Sequence, residues 1–189
     1  MCIRDREWSN GWPWALYGPI VHHGLAQDYP LRAANLDRAE IMAIYRQQPL
    51  LRGKASTATA VQEPLLAQIR ESHCDKLPIS QLPAMLAVQQ QRDRRMAEQL
   101  LQAPLPAMLL AGAYHVRQDL GVPLHLRDLG APSSTQVLIL SEVGKPVTAE
   151  QADYVVHRRA ATRGSLRAVS VGDAPGGRYR LVGYATRLD

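Results

Sequence analysis

A continuous apolar run, Ala107-Met-Leu-Leu-Ala111 followed directly by Gly112, constrains the fold of this chain more than any other feature. The run does not alternate apolar and polar residues, which is typical of a strand that is buried on both faces of a parallel sheet. Residues 137–140 and 124–126 are predicted to form further strands. Because helical patterns lie around these segments, the sequence predicts an α/β fold, with a mostly parallel sheet flanked by helices and a small helical subdomain.

The predicted helices follow from apolar residues at helical spacing. They cover residues 14–28, 59–72, 80–102 (with Ser80 as the cap), 115–120 and 148–159. Asp37 and Glu40 have the spacing of a capping box, which predicts one more helix directly after Asp37. A short strand is expected over 31–36 and a loop over 49–56. The predicted domains are residues 7–48 with 104–160 (α/β domain), 49–103 (helical subdomain) and 161–189 (Arg-rich tail).

The net charge of +5 is located in the last part of the chain. Residues 158–189 contain seven arginines and two aspartates, whereas residues 1–157 contain 15 basic and 15 acidic residues. Such a charge cluster is typical of a solvated tail, and it lacks the interleaved aromatic residues of a single-strand nucleic-acid surface. We therefore expect no nucleic-acid partner.

The long helix over 80–102 carries polar residues on an otherwise apolar face. Its face contains Leu86 and Met96 but also Gln89 and Asp93, with Arg92 beside them. A bare carboxylate at such a place would cost several kcal/mol, so Asp93 must be hydrogen-bonded, ion-paired or open to a cleft. Two interpretations follow: a polar link between this helix and the sheet, or one wall of a ligand cavity. Both predict that Gln89 and Asp93 face the sheet.

The segment Gly112-Ala-Tyr-His115 lies where the predicted central strand ends. Ligands of open α/β sheets bind outside the carboxyl ends of the strands, and glycine allows the chain to turn sharply there. A histidine at that place can bind a metal, transfer a proton or position a ligand. A structural histidine is the alternative, because the Gly-x-x-His spacing alone is not specific.

Familiar catalytic and cofactor motifs are missing from the sequence. It contains no His-Glu-x-x-His, no Walker loop, no Gly-x-Ser-x-Gly and no Gly-x-Gly-x-x-Gly. Two cysteines cannot form a four-thiolate zinc site or a disulfide framework. The motifs therefore offer no support for most common enzyme classes.

Four segments, taken in order, resemble the ChaN-like haem-binding family of the wider Tiki/TraB/erythromycin-esterase-like superfamily. They are Trp12-Pro-Trp-Ala-Leu-Tyr-Gly-Pro-Ile-Val21, Ala33-Ala-Asn-Leu-Asp-Arg-Ala-Glu40, Gln90-Gln-Arg-Asp-Arg-Arg-Met-Ala97 and Leu110-Ala-Gly-Ala-Tyr-His-Val-Arg-Gln-Asp-Leu-Gly-Val-Pro123. Family members usually have Gly-Asn-Gly-His where this chain has Gly112-Ala-Tyr-His115, so here a tyrosine stands beside the histidine. The family's first half, with a Gly-Glu-x-x-His segment and any lipidation signal, has no counterpart, which suggests an N-terminally truncated chain with a foreign start.

The resemblance implies a bacterial haem-binding protein of iron uptake, often a lipoprotein, that holds haem at a homodimer interface through tyrosine and histidine. Tyr114 and Tyr17 are then the candidate iron ligands, His115 a donor or second ligand, and Arg117 a partner for the haem propionates. Tyr17 could instead be a core aromatic, and Tyr114 a cleft wall. Gln89, Arg92 and Asp93 complete the candidate haem-binding residues.

Two further expectations concern location and the rival function. The full-length protein is expected in the bacterial cell envelope, as a lipoprotein or in the periplasm, with membrane contact only through a lipid anchor absent from this sequence. The alternative is a metal-dependent hydrolase-like domain of the same superfamily, in which His115 would help to hold a metal or activate water. Such a domain would be inactive as this fragment. Haem binding without enzymatic activity is the preferred hypothesis.

Overall fold

The computed structural model describes residues 12–131, 135–158 and 179–184, and for Arg158 and residues 179–184 it describes the backbone. These residues fall into two compact units, residues 12–33 and the described residues from 34 onward. The expectation of a foreign start lies outside the described residues, as do residues 161–178 and 185–189 of the expected tail. The division into an α/β domain and a helical subdomain stays a prediction.

The first unit contains helix α1 (Trp14–Ala26). The second unit contains the remaining elements, which alternate between helices and parallel strands after a helical first half. In chain order they are α2 (Arg38–Gln47), α3 (Thr59–Ser72), a 3-10 turn (Ile79–Gln81), α4 (Leu82–Leu101), β1 (Ala107–Gly112), α5 (Ala113–Val116), α6 (Val122–Asp128), β2 (Thr135–Glu142), β3 (Tyr154–Arg158) and β4 (Tyr179–Tyr184).

The four strands form one parallel sheet in the order β1-β4-β2-β3. The predicted mixed α/β class is therefore confirmed. Strand β4 lies between β1 and β2, although its residues belong to the segment predicted as an Arg-rich tail, so that prediction is wrong for residues 179–184. The segment becomes a strand because β1 and β2 pair with it on both sides.

The main hydrophobic core lies between the sheet and helices α4 and α6. Its buried side chains include Met96 and Leu100 of α4, Leu109 of β1, Leu126 of α6 and Val137 of β2. Strand β1 is buried on one face only, because Ala107, Leu109 and Ala111 are buried whereas Met108 is 60% exposed. The expectation that this strand is buried on both faces is wrong, because Met108 is exposed and Leu110, on the same face, is only partly buried.

The capping box at the start of α2 is confirmed. The Asp37 carboxylate accepts a hydrogen bond from the Glu40 backbone N–H at 2.7 Å, and the Glu40 carboxylate accepts one from the Asp37 backbone N–H at 2.9 Å. Glu40 also forms an ion pair of 2.6 Å with Arg95 of α4. Both the Asp37 backbone N–H and the Arg95 guanidinium lower the pKa of Glu40. The cap therefore fixes where α2 begins and holds a carboxylate that ties α2 to α4.

Replacing Asp37 by alanine should lower the free energy of unfolding by about 1 kcal/mol, because the first turn of α2 loses the acceptor for a backbone N–H. Urea unfolding measures the change. Asp37→Asn is the matched control, since asparagine caps as well as aspartate. Equal losses in both variants would contradict the capping role.

The limits of helix α3 agree with those predicted from helical spacing, whereas the start of helix α4 does not. Helix α3 has the predicted limits, with Pro64 inside it. Helix α4 begins at Leu82 rather than at Ser80, which lies in the preceding 3-10 turn. Ser80 is not a cap: Pro83 stands in the first turn of α4, where its fixed φ suits a helix start and its missing N–H costs nothing.

Two segments differ from their predicted type because local signals outweigh the apolar pattern. Residues 124–126 lie in helix α6, not in a strand, since Gly121 and Pro123 together mark a helix start. Thr148 and Gln151 form a single turn: the Gln151 backbone N–H donates to the Thr148 carbonyl, and the Thr148 backbone N–H donates to the Gln151 side-chain oxygen. No helix continues from this turn. The following Tyr154-Val-Val-His157 forms β3 instead, because aromatic and β-branched residues favour strands.

Two shorter predictions are also wrong. Residues 31–36 form no strand, since the chain passes from one compact unit to the other within this segment, where no described strand pairs with it. The helix expected over 115–120 lies earlier, as the single turn α5, because Arg117 adopts extended backbone with φ −56° and ψ 135°.

Candidate functional site

The candidate site lies at the carboxyl-terminal edge of the sheet. The last residue of β1, Gly112, is in register with Tyr184 of β4, and Leu140 near the end of β2 is in register with the same residue. Helix α5 begins immediately after β1 and carries Tyr114 and His115. The parallel sheet therefore places the predicted strand-end residues at the edge where ligands of such sheets bind.

The His115 imidazole is held by two side chains from successive turns of α4. Its Nδ1 lies 2.5 Å from Asp93 Oδ1 and 3.2 Å from the Gln89 side-chain amide. The Asp93 side chain is 0% exposed, whereas the His115 side chain is 17% exposed. The prediction that Gln89 and Asp93 face the sheet side is confirmed. Asp93 lies beneath His115 as its hydrogen-bond partner, so it does not line an open cavity.

Some buried polar atoms, one of them in this pair, lack a hydrogen-bond partner. Among the described residues they are Asp93 Oδ2, Arg92 Nε and His125 Nδ1. Burial lowers the pKa of Arg92 and the pKa of His125, and the Asp93 carboxylate opposes both changes. Asp93 is therefore the negative centre of a polar cluster within the core between α4 and α6.

The sequence analysis missed His125, although it lies 1% exposed in helix α6. It occupies an apolar helix face, where nothing in the sequence distinguishes a polar core residue from a surface one. The capping signals at Gly121 and Pro123 could have placed it on a helix, and hence on a definite face.

Tyr114 is accessible and has a cation above its ring. The side chain is 41% exposed, and the Arg117 guanidinium carbon lies 5.6 Å from the ring centroid. Arg117 is also paired with Asp119 through two hydrogen bonds, of 2.8 and 2.5 Å. Tyr114, His115 and Arg117 thus come from one short segment, and a carboxylate already neutralises the arginine predicted to meet the propionates.

Tyr17, the other candidate ligand, lies on α1 in the first compact unit. Its ring centroid lies 4.3 Å from that of Trp12, and its side chain is half-buried. In the second unit the structure brings together Gln89, Asp93 and His115, with Tyr114 next to His115 in the chain and Arg92 next to Asp93. The assignment of any of these residues to a ligand stays a prediction.

A second polar cluster, which the sequence analysis missed entirely, joins the 53–57 loop to the end of α6. The Asp128 carboxylate accepts hydrogen bonds from the backbone N–H groups of Lys54, Ala55 and Ser56 at 2.8–2.9 Å, and from the Ser56 hydroxyl at 2.6 Å. A side chain at Gly53 would collide with this carboxylate. No spacing in the sequence connects the loop to a residue so far along the chain.

Metal-ligating residues do not gather anywhere in the described part of the chain. Its His, Cys, Asp and Glu side chains form no group of three or more that could hold a metal ion. Two surface cavities, of about 280 and 220 Å³, share no lining residue with the His115 cluster. Among the described side chains at the strand-end edge, His115 and Tyr114 carry donor atoms that could hold a cofactor. Within the described ranges no helix has the length and apolarity needed to cross a bilayer.

Comparison with known protein families identifies the family of this chain. The family model described as haem-binding uptake, Tiki superfamily, ChaN matches residues 2–126, which is more than half of the chain. The chain belongs to this ChaN family. The resemblance inferred from the four ordered segments is thereby confirmed, and Asp93 and His115 both lie within the matched residues.

A solved structure supports the same relationship for the fold. The structure described as cofacial haem binding to ChaN of Campylobacter jejuni shares 33% identity with this chain at a TM-score of 0.72. The match covers 78% of this chain and 58% of the Campylobacter chain, so this ChaN-family chain spans about 58% of that protein's length. A search of curated proteins gave no match.

Proposed function

We propose that this chain binds haem at the carboxyl-terminal edge of its sheet, through Tyr114 and His115, as a component of bacterial iron or haem uptake. One observation carries the proposal: His115 is anchored through Nδ1 to the buried Asp93, beside the accessible phenol of Tyr114. Tyrosinate and imidazole are both established protein ligands of haem iron. Membership of the ChaN family and the relative's described haem binding support the choice of ligand.

Tyr114 and His115 have different roles in the proposed haem binding. When bound, haem supplies an iron that accepts an oxygen or nitrogen ligand from the protein. The Tyr114 phenol is the exposed donor, and the Arg117 guanidinium carbon lies 5.6 Å from the centroid of its ring. His115 presents its other nitrogen, Nε2, as a hydrogen-bond partner or second ligand. Haem is flat and largely apolar, so the face that this chain leaves exposed must be shielded from water. We propose that a second copy of the chain shields it, with the two haems facing each other.

Location and anchoring form part of the same proposal. An uptake role is consistent with the cell envelope, reached as a periplasmic protein or as a lipoprotein of the full-length sequence. Gradient fractionation of cells that produce the full-length protein, with and without a substituted lipid-acceptor cysteine, would measure this.

Titration of the chain with ferric haem tests the proposed site. We expect saturable binding, and a high-spin ferric absorption spectrum typical of tyrosinate ligation rather than of two histidines. Tyr114→Phe keeps the ring but removes the ligand oxygen, and His115→Ala removes the imidazole. Each should weaken haem binding by about 10-fold or more, or change the spectrum.

Matched controls keep this test specific. Tyr154→Phe alters another tyrosine, 49% exposed at the start of β3, and His73→Ala alters an exposed histidine next to α3. Both should bind haem as the unaltered chain does. Unchanged affinity and spectra in the Tyr114 and His115 variants would move the site elsewhere, with Tyr17 as the next candidate. Bound metal with ester or peptide hydrolysis, in place of haem binding, would favour the hydrolase-like alternative.

A further inference from the structure

We infer that Asp93 is a positioning residue, which holds the neutral His115 imidazole with its proton on Nδ1 and leaves Nε2 free for a ligand. Asp93 Oδ1 lies 2.5 Å from His115 Nδ1, and the carboxylate is completely buried. An ionised carboxylate only accepts hydrogen bonds, so the proton between these two atoms belongs to Nδ1.

The same nitrogen has a second neighbour that would favour the opposite proton position. The Gln89 side-chain nitrogen lies 3.2 Å from Nδ1 and could donate a hydrogen bond to an unprotonated Nδ1. That arrangement would require a protonated Asp93 and would place the ring proton on Nε2. The contact with Asp93 Oδ1 is the shorter of the two, so the geometry favours the arrangement in which the Nδ1–H donates to Asp93.

The opposite edge of the ring is where a ligand can approach. Nε2 has no hydrogen-bond partner among the described residues, and His115 is 17% exposed although its Nδ1 edge faces a buried group. With Nδ1 protonated, the neutral ring offers a lone pair on Nε2, and the charged ring offers a proton there. A carboxylate behind a ligating histidine fixes its tautomer and orientation and raises its basicity.

This inference rests on the proposed function for its effect on haem binding, but the proton position does not depend on haem. Nitrogen-15 NMR of the haem-free chain, labelled at histidine, reports which ring nitrogen carries the proton when the imidazole is neutral. His115→Gln identifies the signal. We expect an Nδ1-protonated ring in the unaltered chain and, in Asp93→Asn, a shift of the proton toward Nε2, because the asparagine NH₂ can donate to Nδ1.

Gln89→Ala is the matched control, because it removes the other side chain that contacts Nδ1 from the same face of α4. It should leave the proton on Nδ1. In the haem titration, Asp93→Asn should lower affinity by about 10- to 100-fold, the usual effect of losing the group that orients a metal-binding histidine. Chemical denaturation of each variant shows whether it remains folded.

The outcomes separate this inference from the proposed function. A neutral His115 with its proton on Nε2 in the unaltered chain would overturn the positioning role, even if Asp93→Asn does not fold. An Nδ1 proton that persists in folded Asp93→Leu would overturn it too, because leucine offers Nδ1 no acceptor and Gln89 can then donate to it. An Nδ1-protonated ring in a chain that binds no haem would support the positioning role and refute the haem proposal.

Discussion

Replacing Asp128 by alanine should lower the free energy of unfolding by about 3 kcal/mol at about pH 7. The variant leaves three backbone N–H groups and the Ser56 hydroxyl without their acceptor, and hydrogen bonds to a charged group contribute about 1.5–3 kcal/mol each to stability. Because Asp128 is only partly buried, water replaces some of these bonds in the variant and reduces the total loss. Urea unfolding provides the measurement. Glu63→Ala removes an exposed carboxylate of α3 and should change stability by about 0.5 kcal/mol or less.

The effect of Asp128 should depend on pH in one direction. Burial raises the pKa of the Asp128 carboxyl, but the hydrogen bonds from Ser56, Ala55 and Lys54 outweigh it, so the pKa is lowered in the folded protein. A carboxyl group whose pKa is lowered on folding stabilises the folded state fully above its unfolded pKa of about 4. This stabilisation is lost as the pH falls through the folded pKa. The difference between the unaltered chain and Asp128→Ala should therefore shrink below about pH 4. A difference that grows in acid would contradict this assignment.

Truncating Leu65 to alanine should cost about 2–5 kcal/mol of stability, through lost burial and the cavity left behind. Leu65 of α3 is 0% exposed, in a core cluster with Val61, Leu120 and Leu124. Alanine is a better helix former than leucine, so any loss reports packing rather than helix propensity. Leu50→Ala deletes the same atoms from a side chain that is 95% exposed and should change stability by about 0.5 kcal/mol or less. Similar losses in the two variants would mean that Leu65 is not a core residue in solution.

Local patterns predicted the elements whose formation depends on neighbouring residues. The capping box of Asp37 and Glu40, the limits of α3 and the strand β1 all depend on residues within a few positions. The predictions failed where pairing between distant segments decides. Residues 179–184 become β4 because β1 and β2 flank them, and this pairing has no signature in their own sequence.

The sequence predicted where the residues of the candidate site lie on their elements, but not how they contact each other. Helical spacing placed Gln89 and Asp93 on one face, and the glycine after β1 placed His115 at a strand end. The contact between the two needed the tertiary structure, as did the full burial of Asp93, which changes its expected role from lining a cleft to orienting a side chain. Ligand binding by any of these residues stays a prediction until haem is titrated.

The contact between the 53–57 loop and Asp128 bears on the lifetime of the folded state. Its partners are 72 to 74 positions apart, with α3, α4 and β1 between them. Closing a flexible loop of that length costs about 4 kcal/mol of chain entropy, so the contact should form only after the intervening elements have packed. Interactions that form late stabilise the native state without stabilising the folding transition state. In stopped-flow experiments Asp128→Ala should therefore unfold much faster and refold at nearly the original rate, so that this one carboxylate acts as a kinetic latch on the folded chain.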